Sequence, residues 1–292
     1  MFYGWWIVMA CATIALIGGG NYNYGMTIYF RPLMNEFHWN AATISIAFGL
    51  RSMEAGIAAP LFGYMVDRVG PRKLLVFGMV TAGTAFILFS RVNSLLTFYL
   101  AFFLLAFGWT PANTVVSVNA VARWFRKRVS LALGLLAVGT GAGATLVPVV
   151  AWGVSNYGWR PASFTVGLIV LAVCVPLSLV VRDWPRDLGY RPYGLEGEGT
   201  PGVPHPAGLE AGERSEYTVR RALRTPDFWF ITLAFSACFA MANAVTAHHV
   251  PYLETIGFDA TSAAWVLSLS GVTSVAGRLL LGWLGDFIDK RL

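Results

Sequence analysis

The chain has 292 residues, of which 56% are hydrophobic and 12% charged; the net charge is +6 and the mean hydropathy +0.60. Soluble domains carry about 25% charged residues, so this composition excludes an ordinary soluble globule, a disordered chain and a coiled coil. A polytopic membrane protein remains, and at roughly 20 apolar residues per helical span the length accommodates about eight to ten spans.

Eight apolar segments follow in chain order, at about 5–30, 43–65, 73–90, 94–121, 129–153, 161–181, 226–250 and 261–284. Lipid offers the backbone no hydrogen-bond partner, so segments without strand alternation read as helices. The fold class expected is all-α and polytopic. The first run opens at once with Phe2-Tyr3-Gly4-Trp5-Trp6 and is longer than the apolar region of a signal peptide. Cys11, Cys174 and Cys238 all sit in apolar runs. They read as small buried hydrophobes with no disulfide or metal spacing, and no cofactor is expected.

Charge sets the orientation. Arg68, Arg72 and Lys73 lie between spans 2 and 3, and Arg123, Arg126, Lys127 and Arg128 between spans 4 and 5. Seven arginines lie from Arg182 to Arg224, and Lys290 and Arg291 close the chain. These sixteen basic residues face only Arg31, Arg91 and Arg160 on the other side. The positive-inside rule then puts the N-terminus, the long central segment and the C-terminus in the cytoplasm of a cell inner (plasma) membrane protein. The basic balance is a topology signal, so the lipid bilayer is the expected partner and nucleic acid is not.

The stretch 182–225 is the only long polar one. Ten of the 20 residues from Gly189 to Gly208 are Gly or Pro, which reads as a flexible linker. The expected organisation is a six-helix bundle over 1–181, a cytoplasmic linker over 182–225, and two helices of a second bundle over 226–292. An internal repeat supports the split. Gly63-x-x-x-Asp67-Arg68 ends span 2, and Gly282-x-x-x-Asp286 ends span 8 at an offset of 219 residues. Repeated halves are a common way of building transporters.

The run Gly63-x-x-x-Asp67-Arg68-x-Gly70-Pro71-Arg72-Lys73 resembles the signature loop of the major facilitator superfamily, and Arg123-Trp124-Phe125-Arg126-Lys127-Arg128 resembles that family's second cytoplasmic loop. Tyr3-Gly4-Trp5-Trp6, Arg31-Pro32-Leu33, Phe37-x-Trp39, Gly158-Trp159-Arg160 and Gly277-Arg278 are similar to its monocarboxylate-transporter and oxalate/formate-antiporter branch. The resemblance implies a secondary transporter of small organic anions, monocarboxylate or dicarboxylate, working by alternating access as symporter or antiporter. A proton or a counter-anion is the candidate coupling partner, and no enzymatic activity is implied. Animal members of the branch carry a lysine late in span 1 where this chain has Tyr24, which weighs against lactate-type proton symport. The family has twelve spans and this chain stops after eight, so the expectation is a truncated product or a fragment, with transport by the chain itself in question. The alternatives are transport of another polar solute, or a membrane protein that does not transport.

The residue readings stand beside this resemblance. Gly63, Asp67, Arg68, Gly70, Arg72, Gly282 and Asp286 are read as a gate, with each aspartate offered to the positive end of a neighbouring helix; a plain charged turn is the bland alternative. By pseudo-symmetry Asp286 is expected near Val129 and Ser130, and Asp67 is expected exposed and unpaired with any later span. Arg51 and Glu54 lie mid-span 2, where each charge costs about 2.5–3.5 kcal/mol on insertion scales. At i and i+3 they are expected to pair with each other. The role is either structural or coupling, with Glu54 taking protons or orienting substrate.

Asn21-Tyr22-Asn23-Tyr24 follows Gly18-Gly19-Gly20 and reads as a locally loosened helix, lining a cavity or forming an interface cluster. Asn113, Thr114, Asn119 and Asn243 either join that lining or bond between helices. His248-His249 read as a hydrated helix end. Gly139-x-x-x-Gly143 reads as a helix-packing face, since no strand precedes it. No phosphate-binding loop suggests ATP-driven transport. Arg278 is the only basic residue within an apolar span of the second half. Its planar fork matches a carboxylate bidentately. The resemblance implies that an arginine of span 8 contacts the substrate carboxylate; the bland reading is a snorkelling or gate-pairing arginine.

Overall fold

The computed structural model describes residues 2–193 apart from Thr114, residues 223–256, and isolated positions between Val266 and Leu280. Arg278, Gly282, Asp286, Thr114 and most of the expected linker lie outside the described residues, as do the side chains of Asn113, Asn243, His248 and His249. The described residues are helical, with no strand among them beyond a single bridge between Phe125 and Tyr193.

The elements follow the apolar runs. Span 1 comprises α1 (Tyr3–Gly18), a π-helical turn (Gly19–Tyr24), a 3-10 stretch (Gly25–Tyr29) and α2 (Phe30–Phe37). Span 2 is α3 (Ala41–Val69) and span 3 is α4 (Pro71–Phe89). Span 4 is α5 (Leu95–Asn113) with α6 (Val115–Trp124), and span 5 is α7 (Val129–Ala142), a 3-10 turn (Gly143–Leu146) and α8 (Val147–Tyr157). Span 6 is α9 (Trp159–Ile169), a π-helical turn (Val170–Cys174) and α10 (Val175–Val180).

Five of these stretches, Tyr3–Phe37, Pro71–Phe89, Leu95–Trp124, Val129–Tyr157 and Trp159–Val180, are long and apolar enough to cross a membrane. Span 2 has the length, at 29 residues, but Arg51, Glu54, Asp67 and Arg68 lower its hydropathy.

The packing repeats itself. Span 1 lies along span 5, and span 2 along span 4. Span 3 packs on spans 4 and 6, span 6 touches span 1, and the neighbours 2–3 and 5–6 each pack together. Exchanging spans 1–3 for spans 4–6 leaves this pattern unchanged, as expected of two three-helix repeats. The turns agree. Gly70, at φ +90° and ψ 153°, joins spans 2 and 3; Gly158, at φ +85° and ψ 163°, joins spans 5 and 6. A positive φ is readily reached only by glycine, and it reverses the chain in one residue.

Close helix contact is made by small residues. A Cβ on Gly139 would run into the backbone of Ala12, and one on Gly143 into Gly19 and Gly20. The Gly139-x-x-x-Gly143 face therefore seats span 5 against span 1 where span 1 changes helix type. Between the helices lie Trp109, Phe86, Phe89, Phe98 and Ile14, all fully buried.

Contacts divide the chain into one unit of Met1–Glu196 with Ser268–Leu292, and another of Gly197–Leu267. Residues 182–193 dock on the basic loops of the first unit. In the second, α11 (Pro226–Thr255) is described, apolar over Pro226–Met241. Its Phe230, Phe235 and Met241 are exposed.

Candidate functional site

Three polar clusters stand out in the first unit. The central one is built where span 1 leaves α-helical geometry. A π-helical turn frees carbonyls from the regular i to i−4 ladder, and each needs a donor in a water-poor interior. Asn21 donates its amide to Ile17 O at 2.8 Å, and Thr27 its hydroxyl to Tyr24 O at 2.8 Å. Tyr22 O is served from span 2, by Arg51 Nη1 at 3.0 Å. Arg51 Nη2 donates to Asn23 Oδ1 at 2.9 Å, and the guanidinium stacks 3.8 Å above the Tyr22 ring. That ring in turn packs on Trp109 of span 4, with centroids 5.8 Å apart.

The expected Arg51–Glu54 ion pair is absent. Arg51 reaches across to span 1 because a backbone carbonyl, an amide oxygen and an aromatic face together satisfy more of its donors than one carboxylate of its own helix. Glu54 is 7% exposed. Its Oε2 lies 3.4 Å from the Thr110 hydroxyl of span 4, and its Oε1 has no hydrogen-bond partner.

The loosened helix expected at Gly18–Tyr24 is thus present, but Asn21 is buried and committed to its own span. Tyr24 is half-buried two residues beyond the Arg51 contact. Asn119 is half-buried, its Oδ1 without a partner. Asn113 ends α5 and Asn243 lies within α11.

The second cluster lies at the end carrying the basic loops. Asp67 is 73% exposed as expected, but it is not unpaired with later spans, since it accepts from Arg123 Nη2 at the end of span 4 at 3.3 Å. It caps no described helix. That place belongs to Asp183, whose Oδ1 accepts from Arg72 N at 2.9 Å in the first turn of α4, beside Gly70. Among the described residues the short carboxylate after span 6 is the one that reaches this helix start, where the dipole favours a negative charge.

Arg123 also stacks on Trp184 at 4.5 Å, and Trp124 Nε1 donates to Arg182 O at 3.1 Å. Tyr193 N donates to Trp124 O, and Tyr193 O accepts from Arg126 N and Lys127 N. Residues 182–193 therefore strap the 2–3 loop to the 4–5 loop. Arg68 stacks on Tyr64 at 4.4 Å, and Gly63 approaches Val115.

The third cluster closes the opposite end. Glu36 Oε1 accepts from Arg160 Nη2 at 2.8 Å, and Glu36 Oε2 from Trp159 Nε1 at 2.6 Å. Arg160 Nη1 donates to Ser90 O at 3.0 Å, so the ends of spans 1 and 3 meet the start of span 6. Glu36, Thr110, Asp183 and Trp184 are site residues that sequence reasoning missed. Among the described residues no group of three or more His, Cys, Asp or Glu side chains forms a metal site.

Comparison with known proteins gives this arrangement its context. The family model described as Major Facilitator Superfamily matches residues 10–292. The chain is similar to monocarboxylate transporter 13 of Rattus norvegicus, at 27% identity over 98% of this chain and 62% of the relative. It is similar to the oxalate:formate antiporter of Oxalobacter formigenes, at 27% over 98% of this chain and 64% of that protein. A further relative is the membrane sensor protein UhpC of Salmonella typhimurium, at 26% over 79% of this chain and 53% of its own length. The chain thus spans less than two thirds of the length of these relatives. With a multi-pass helical fold and a family match over nearly its whole length, the chain belongs to the Major Facilitator Superfamily.

Proposed function

We propose that this chain carries the first bundle and part of the second of a secondary transporter for small organic anions, monocarboxylate or dicarboxylate, working by alternating access. The observation that carries the reading is the similarity, over 98% of the chain, to relatives named for monocarboxylate transport and for oxalate:formate exchange. The placement of cations agrees with it. Arg51 sits within span 2 and Arg278 within the apolar run of span 8, where an uncompensated charge is costly unless it meets a partner or a cavity.

Arg278 is the proposed carboxylate anchor, with Tyr24, Asn113 and Asn243 as further lining. The loop residues Gly63, Asp67, Arg68, Gly70, Arg72, Gly282 and Asp286 form the proposed gate. The membrane is the cell inner membrane, with the basic loops and the N-terminus on the cytoplasmic side.

The test is uptake of labelled formate, oxalate and lactate into proteoliposomes, beside a neutral analogue of similar size. Saturable uptake of the acids alone is expected. Arg278→Lys should lower it about tenfold to a hundredfold, the worth of a lost charge-assisted bidentate contact, with thermal stability retained. Equal uptake of the neutral analogue, or wild-type uptake by Arg278→Lys, would refute the anchor.

A second reading, an anion sensor that binds without transporting, is favoured by the similarity to the membrane sensor protein. It predicts saturable anion binding without uptake.

A further inference from the structure

We propose that Glu54 is a proton-binding site that commands the break in span 1 by competing for Arg51. Three observations meet here. The Thr110 hydroxyl has one proton, and its better acceptor is Ala106 O at 2.9 Å rather than Glu54 Oε2 at 3.4 Å. A hydroxyl can also accept, so with its own proton on Ala106 O the Thr110 oxygen is free to receive an acid proton from Oε2 at 3.4 Å. Glu54 Oε1 has no partner, which a neutral acid tolerates far better than a buried carboxylate does. Arg51, the cation one turn away on the same helix face, is engaged elsewhere, on Tyr22 O, Asn23 Oδ1 and the Tyr22 ring.

The two residues are three positions apart, about 4.5 Å along the axis, so a rotamer change brings the guanidinium to the carboxylate. Loss of the proton to water leaves a carboxylate whose nearest cation among the described residues is Arg51. Arg51 then leaves span 1, and Tyr22 O loses its donor. The observed arrangement, with Arg51 on span 1 and Glu54 beside Thr110, is the one the proposal assigns to the protonated state.

Among the described residues the groups facing Glu54 are few. Arg51 comes from its own helix, the Tyr22 phenol from span 1 and Thr110 from span 4. The Asp67–Arg123 pair between spans 2 and 4 lies thirteen residues further along α3, about 20 Å away. At the other end, Tyr99 bonds Thr43 O eleven residues back, about 16 Å away. Neither is placed to neutralise a carboxylate at Glu54.

A proton on Glu54 rests on the transport reading only for its purpose, as the coupling step. The shared arginine makes a reciprocal prediction, because whatever weakens its hold on span 1 must strengthen its hold on Glu54. Infrared spectroscopy of the full chain in lipid, titrated with pH, reads the C=O stretch of a protonated carboxyl. Glu54→Gln should remove one such band and so assign it. In Asn23→Ala the band should disappear about one pH unit lower than in wild type, because Arg51 is freed for the carboxylate. In Asn23→Asp and in Arg51→Gln it should disappear at higher pH, because the cation is held elsewhere or lost.

No band lost in Glu54→Gln, or a midpoint indifferent to residue 23, would overturn the proposal. A midpoint moved by Arg51→Gln but by neither Asn23 variant would leave Glu54 as a simple ion-pair partner and overturn it equally. The titration uses no substrate. Intact titration without uptake would count against the transport reading alone, and uptake with an untitratable Glu54 against this proposal alone.

Discussion

Spans 1 and 3 solve the same problem in opposite ways. Span 3, α4, is one unbroken helix of 19 residues, and takes outside help only near its ends, from Asp183 at Arg72 N and from Ser163, whose hydroxyl donates to Phe86 O at 2.9 Å. Span 1 changes helix type three times along its length and is held there by Asn21, Thr27 and the Arg51 of another span. A regular helix satisfies its own backbone in lipid, whereas a broken one must borrow donors. The lenders then acquire control over the break, so the span that costs more to hold is the one that can be switched.

That contrast can be broken most severely at the close approach of spans 1 and 5. Gly143→Leu forces a side chain into the Gly19–Gly20 backbone and should cost about 3 kcal/mol. The expected outcome is loss of monodisperse protein in detergent. Gly153, with open space around its Cα, is the control. Gly153→Ala should stabilise by about 0.5–1 kcal/mol in thermal unfolding.

Arg51→Ala comes next. It leaves Tyr22 O and Asn23 without their donor and should destabilise by about 2 kcal/mol. Arg51→Lys should restore only part, since one ammonium cannot serve both oxygens and stack on the ring. Asp183→Ala removes the only side-chain cap of span 3 among the described residues and should cost about 1 kcal/mol, read as a lower unfolding midpoint. The smallest effect belongs to Asp67→Asn. Asp67 is 73% exposed and meets Arg123 at a long 3.3 Å, so the loss should be below about 0.5 kcal/mol and should shrink at high salt. If Asp67→Asn proved costlier than Asp183→Ala, the assignment of the cap would be wrong.

Much of the fold was legible because lipid leaves few options. The apolar runs, the Gly139-x-x-x-Gly143 face and the Gly-rich start of the span 1 break could all be read from residue types alone. The sites were harder. The i, i+3 spacing of Arg51 and Glu54 suggested a pair, but a carbonyl 29 residues earlier in the chain took the guanidinium instead. Nothing local in the sequence marks Tyr22 O as the acceptor for Arg51.

Asp183 sits at the start of a stretch that composition assigns to a linker. Its role depends on span 6 ending beside span 3, which is a property of the packing. Asp67 carried the signature, yet the helix start beside it was already taken. Glu36 could have been flagged, since it lies within the Phe37-x-Trp39 neighbourhood and its partners Trp159 and Arg160 were both singled out. The missing step was knowing that spans 1 and 6 end together.

The most direct test of the account is hydrogen exchange of the full chain in lipid, followed separately over residues 19–29 of span 1 and 71–89 of span 3. With Arg51→Ala, exchange over 19–29 should rise about tenfold while span 3 stays at its wild-type rate. Unchanged exchange over 19–29, or an equal rise in both spans, would contradict the claim that Arg51 holds the break in span 1.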